Sequence, residues 1–114
     1  MNNKSRKAKG RLLQNLVRDK IQRLFPSLGK DDIRTSLMSE NGADVKLISL
    51  MARKLMPYDI ETKNREEYKT IYKHYRHAKG HGNLEPLLVI KMNREDPLAV
   101  IDLDHFFELL SKAN

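Results

Sequence analysis

The sequence contains no cysteine, which excludes disulfide bonds and thiolate metal sites and fits the reducing conditions of a cytoplasm. It has no tryptophan, three phenylalanines and four tyrosines, so a modest core is expected, of a kind that dimerisation would help to stabilise. No apolar run approaches the roughly 20 residues of a membrane span, and the basic N-terminus carries no apolar signal segment. Together these absences set the expectation of a soluble, cytoplasmic protein.

What is present is charge. Lysine and arginine number 22 against 15 aspartates and glutamates, a formal charge of +7 with a pI near 9.7. That balance favours polyanions, meaning nucleic acid or an anionic membrane surface. The excess is uneven: residues 1–23 hold Lys4, Arg6, Lys7, Lys9, Arg11, Arg18, Lys20 and Arg23 against Asp19 alone, and a second basic stretch runs through Lys69, Lys73, Arg76 and Lys79. Residues 1–9 read as a flexible basic arm, and Lys4, Arg6, Lys7, Lys9 and Arg11 are expected to meet the DNA backbone in a salt-sensitive way. A solvated tail is the alternative. Residues 10–114 read as one folded domain of common size.

Within it the apolar residues Leu12, Leu13, Leu16, Val17, Ile21, Leu24 and Phe25 recur at helical spacing from Gly10 to Phe25, and Pro26 ends the helix. Gln14 lies at the edge of that stripe. Asp31 and Asp32 suit a helical turn, and Arg34–Gly42 reads as a loop closed by the Asn41-Gly42 turn signal. Ala43–Ser49 and Tyr58–Lys63 are strand candidates, with a short helical turn over Leu50–Met56. Arg65–Lys79 reads as a helix, Leu87–Ile90 and Leu98–Ile101 as a hairpin of two buried strands, and Asp104 as the cap of a last helix bearing Phe106, Phe107, Leu109 and Leu110. The result is a mixed α/β domain.

The constellation that carries chemistry is Gly42-Ala43-Asp44 followed by Asp59-Ile60-Glu61-Thr62-Lys63. In a strand Glu61 and Lys63 project from one face. Antiparallel pairing of the two candidate strands would bring Asp44 to them. Two carboxylates suit Mg²⁺, which takes oxygen ligands and often only one or two carboxylates, and the Thr62 carbonyl is a further oxygen. Lys63 would orient water and offset phosphate charge. A solvated surface pair is the competing reading of Glu61 and Lys63.

Gly-Ala-Asp, a gap, then Ile-Glu-Thr-Lys resembles the signature of the PD-(D/E)xK nucleases. The surrounding segments are similar to small phage-type members related to Holliday junction resolvases. They are Lys9-Gly10-Arg11 with Gln14, Ala52-Arg53-Lys54-Leu55, Ile60–Asn64, and Pro86–Lys91 leading to Val100–Asp104, so the likeness covers roughly residues 9 to 110. It implies a restriction-endonuclease-like mixed sheet flanked by helices, and a metal-dependent endonuclease acting on branched DNA inside a host cell. Asp44 and Glu61 would be metal ligands, Lys63 the catalytic lysine, and Mg²⁺ the cofactor with Mn²⁺ substituting. Gln14 stands where many members carry an acidic residue. The helix glutamine of resolvase-like members is missing from His74-Tyr75-Arg76-His77-Ala78, leaving Arg76 or His77 to meet phosphate.

Symmetric junction cleavage needs two active sites, so a homodimer is expected, with the last helix and the tyrosine-bearing helix as candidate interfaces. Arg34, Ser36 and Ser39 are expected near the cut phosphate. The tyrosines Tyr68, Tyr72 and Tyr75 read as core or interface packing residues, with DNA backbone contact through their hydroxyls as the alternative. A zinc site at His74, His77 and His81 is disfavoured, because Gly80 breaks the helix and no fourth ligand stands out. The rivals are a nuclease of the same chemistry on nicked, flap or linear duplex DNA, and a non-catalytic DNA-binding protein.

Overall fold

The computed structural model describes residues 3–113. The chain divides into two compact units, Met1–Asn64 and Arg65–Asn114, each containing one antiparallel two-stranded sheet and helices. The mixed α/β class expected from the sequence is present, with strands in two small antiparallel sheets in place of one mixed sheet.

The first unit opens on helix α1 (Asn3–Leu24). Residues 3–9, expected as a flexible arm, form its first turns; residues 1 and 2 lie outside the described residues. Lysine, arginine and alanine are strong helix formers, and Lys4, Arg6, Lys7, Ala8 and Lys9 dominate this segment. Pro26 restricts the residue before it to extended backbone, and the helix ends at Leu24. Val17, Ile21 and Phe25 repeat every four residues and are buried where α1 packs on strands β1 (Ile33–Thr35) and β2 (Val45–Leu47). Ile33, Val45 and Leu47 face them, and Leu28, Ala52 and Met56 complete the core.

Strand β1 occupies the start of a stretch expected to be all loop. Ile33 and Thr35 are β-branched, which suits a pleated surface, and Ile33 is 1% exposed. The register pairs Ile33 with Leu47, Arg34 with Lys46 and Thr35 with Val45. The strand expected over Tyr58–Lys63 contracts to one antiparallel bridge between Ile60 and Val45, since Asp59, Glu61 and Lys63 are exposed and leave Ile60 as the inward residue. Between them lies α2 (Leu50–Leu55), where Ser49 Oγ accepts the Ala52 N–H at 3.0 Å. This hydroxyl satisfies one of the donors that a helix start leaves unpaired.

The second unit runs through a 3-10 turn (Glu66–Tyr68), α3 (Lys69–Lys79), β3 (Leu88–Ile90), β4 (Leu98–Val100) and α4 (Leu103–Ala113). The expected hairpin forms, pairing Leu88 with Val100 and Ile90 with Leu98. Its strands are not buried: Val89 is 61% and Leu98 62% exposed. With three residues per strand, α3 packs on β3 from one side and the alternate side chains point away. Asp102, not Asp104, caps α4, accepting the His105 N–H at 3.0 Å. The helix starts two residues earlier than a cap at Asp104 implies, at Leu103, so Asp104 falls inside its first turn.

Candidate active site

Asp44 is held at three points. Its carbonyl accepts the Ser36 N–H at 2.9 Å, tying it to the end of β1, and its own N–H donates to the Ile60 carbonyl at 2.8 Å. Its carboxylate Oδ2 accepts the Thr62 N–H at 2.7 Å, with Thr62 Oγ1 at 3.4 Å. Backbone and side chain of Asp44 thus grip the residues on either side of Glu61. The bridge between Val45 and Ile60 fixes this arrangement, and Val45 is fully buried. The core therefore positions the first acidic residue directly.

The loop leading to Asp44 is closed by charge. Arg34 donates to both carboxylate oxygens of Glu40, at 2.9 and 2.8 Å, and the Leu37 N–H donates to Glu40 Oε1 at 2.7 Å. The Arg34 guanidinium first, and then the Leu37 amide, lower the Glu40 carboxyl to about 2, and Glu40 in turn raises Arg34. Lys46 Nζ donates to the Asn41 carbonyl at 2.7 Å and lies 3.9 Å from Glu40. Gly42 is at φ 98°, and a Cβ there would come within 2.8 Å of Lys46 Nζ. Glycine is favoured here by the left-handed turn, while a Cβ would also displace the Lys46 ammonium that crosses it. The Asn41-Gly42 turn was legible in the sequence, whereas Glu40 and Lys46 as its fasteners were not singled out.

Glu61 and Lys63 face one another, with Lys63 Nζ 3.9 Å from Glu61 Oε1, and both are exposed. The structure brings Asp44, Glu61, Thr62 and Lys63 into one neighbourhood. The direct contact of the Asp44 carboxylate is with Thr62, through its amide and hydroxyl. Spacing had offered the Thr62 carbonyl as a ligand and missed the amide. One oxygen of Asp44 is thereby oriented, and among the described residues no donor holds the other. Asp44 Oδ1, the Glu61 carboxylate and the Thr62 carbonyl are hard oxygens of the kind Mg²⁺ takes, a cation that needs few protein ligands. No group of three or more histidine, aspartate and glutamate side chains converges as a metal site among the described residues.

The other candidates are dispersed. Gln14 is half-buried on α1, one turn before the buried Val17. Lys4, Arg6, Lys7, Lys9 and Arg11 are exposed on the same helix. Arg34 is engaged by Glu40, so a phosphate would compete with that carboxylate. Ser36 is half-buried with its amide on Asp44, and Ser39 sits exposed in a turn at φ 64°. Arg76 is exposed on α3, where the His74 and His77 rings meet edge-on with centroids 6.1 Å apart. A cleft of 530 Å³ lies beside β2, lined by Lys46, Leu47, Arg53, Met56 and Tyr58 among others, and none of Asp44, Glu61 or Lys63 lines it. Arg53 donates through Nε to the Leu47 carbonyl at 2.9 Å.

Among the described residues no helix is long and apolar enough to cross a membrane. Comparison of the chain with protein-family models, with curated proteins and with solved structures finds no match.

Proposed function

We propose that this chain is a Mg²⁺-dependent endodeoxyribonuclease of the PD-(D/E)xK type, resembling small phage-type Holliday junction resolvases and acting as a homodimer on branched DNA. The observation that carries the reading is the three-point fixation of Asp44 across Glu61, with Thr62 N–H on its carboxylate. Two of those points are main-chain bonds; the Thr62 N–H on the carboxylate is the one specific to aspartate, and an oriented carboxylate with a second oxygen suits a metal ligand. Two fully antiparallel ladders are a smaller sheet than a restriction-endonuclease-like fold implies, so support comes from this local arrangement and from the sequence resemblance.

In the reaction, Asp44 and Glu61 would hold the ion, with the Thr62 carbonyl as a third oxygen. When bound, Mg²⁺ neutralises the phosphate and acidifies a water. Lys63 presents its ammonium beside Glu61 and offsets charge that develops on the phosphate. The Thr62 amide keeps Asp44 from rotating away. The basic face of α1 supplies attraction that is independent of base sequence.

The test is cleavage of a four-way junction, a flap, a nicked duplex and a linear duplex, each with Mg²⁺, with Mn²⁺ and with EDTA. Wild type cuts the junction in either metal and not in EDTA. Asp44→Asn, Glu61→Gln and Lys63→Ala each lower the rate by about 100- to 1,000-fold, the scale of losing one charge-stabilising group at a reacting centre. Preference for another substrate would move the assignment to a nuclease of different target. Absence of metal-dependent cutting on every form would sink the enzyme reading. That outcome would favour a non-catalytic DNA-binding protein, for which the exposed Glu61–Lys63 pair is a surface ion pair.

A further inference from the structure

The second unit carries a feature that the nuclease reading does not use. A cavity of 480 Å³ opens along the start of α3, lined by Arg65, Tyr68, Lys69, Tyr72, Lys73 and Arg76, with Glu66 the one acidic side chain on its wall. The spacing explains the clustering. Residues 69 and 73 step by four, as do 72 and 76, so these two pairs share one face of α3, and Arg65 and Tyr68 join them from the turn before the helix. Arg65 lies 3.6 Å from Glu67. Lys69, Lys73 and Arg76 have no carboxylate within ion-pair distance among the described residues.

Tyr72 stands in the middle of these cations and is 63% exposed. Sequence spacing suggested that the tyrosines of this helix pack. Tyr68 and Tyr75 are half-buried, as packing requires, but Tyr72 is not. An exposed aromatic ring flanked by unpaired cations is poorly explained by stability. It suits a strand whose phosphates follow the cations and whose base lies on the ring. A duplex would meet the cations equally well, yet its base faces are already stacked, which leaves the ring without a use.

We infer that this face of α3 binds single-stranded DNA, with Lys69, Lys73 and Arg76 on the phosphates and Tyr72 stacked against an unpaired base. The choice of DNA over RNA rests on the nuclease reading; the choice of an unpaired strand rests on Tyr72. Lys69, Tyr72, Lys73 and Arg76 lie in the second unit, and Asp44, Glu61 and Lys63 in the first.

The experiment is equilibrium binding by fluorescence anisotropy of the full chain in EDTA, where no cutting interferes. The probes are a labelled oligothymidylate of about 12 nucleotides, within the range of known single-strand sites, the matching duplex, and the oligouridylate. Tyr72→Ala is expected to weaken binding to the single strand about tenfold, the scale of one lost base–aromatic stack, while duplex binding changes less than about threefold. Tyr72→Phe keeps the ring and retains affinity. The triple change Lys69→Gln, Lys73→Gln and Arg76→Gln lowers the slope of log affinity against log salt by about 2, at roughly 0.7 per phosphate on a single strand. Binding is read in EDTA and cutting in Mg²⁺, so a failed nuclease reading and a failed binding site are told apart. Equal losses for single strand and duplex in Tyr72→Ala, an unchanged salt slope in the triple variant, or tighter binding of the oligouridylate than of the oligothymidylate would each overturn the inference. Unchanged far-ultraviolet circular dichroism of each variant ties any loss to the surface and not to the fold.

Discussion

Among the described residues ten apolar side chains are buried; nine lie in the first unit, from Val17 to Met56, and Phe107 alone lies in the second. The first unit uses that core to fix backbone: Val45, fully buried, anchors the bridge that sets Asp44 across Glu61. The second unit leaves Val89, Leu98 and Leu84 exposed and carries a run of unpaired cations on α3. The contrast matches what the two proposed tasks demand. Holding reacting groups needs positions fixed to fractions of an ångström, whereas attraction to a flexible polyanion tolerates a softer support.

The contrast breaks most visibly in the core. Ile21→Ala removes a fully buried side chain at the centre of the first unit and should destabilise it by about 2–5 kcal/mol, read by chemical denaturation. A loss of metal-dependent cutting at temperatures where wild type is active would accompany it. Smaller is the cap of α2. Ser49→Ala leaves the Ala52 amide without its hydroxyl partner and should cost about 1 kcal/mol, with faster hydrogen exchange at that amide.

The loop before Asp44 sharpens the comparison through pH. Glu40 is lowered to about 2 by Arg34 and the Leu37 amide. A depressed carboxyl contributes stability that is fully present above its ordinary value of 4.5 and is lost as pH falls toward 2. Protection of the Leu37 amide, its exchange rate taken relative to the intrinsic rate at each pH, should therefore fall across that window in wild type and show no such step in Glu40→Gln. The smallest effect is reserved for the second unit, where Val89→Ala at a 61% exposed site should change stability by less than about 0.5 kcal/mol. A loss comparable to that of Ile21→Ala would show that Val89 is covered by a partner in solution.

Much of the first unit was legible because its signals are local. The stripe Val17, Ile21, Phe25 and the stop at Pro26 define α1, and Asn41-Gly42 marks the turn that delivers Asp44. The juxtaposition of Asp44 with Glu61, Thr62 and Lys63 followed from assuming that two strands pair, and one bridge sufficed. What escaped depends on partners distant in sequence. Strand β1 was read as loop because Arg34-Thr35-Ser36 is polar, and only pairing with β2 makes it a strand. The Thr62 amide on Asp44 is a backbone contact that no residue pattern advertises. The exposure of Tyr72 was hidden for a related reason: Tyr68, Tyr72 and Tyr75 share a helical spacing, and spacing cannot say which face the rest of the unit covers.

The helical state of residues 3–9 has a consequence of its own. A coil held by a partner surrenders about 1–2 kcal/mol of backbone entropy per residue. In α1 that freedom is already spent before any partner arrives. Lys4, Lys7 and Arg11 fall along one side of the helix and span about 10 Å at 1.5 Å per residue, and Arg18, next on that side, is held by Asp19 at 3.0 Å. A polyanion meeting this stretch encounters a ruled row of charge in place of a tether. The length over which it is held straight, and not the number of lysines alone, would then govern how strongly it is gripped.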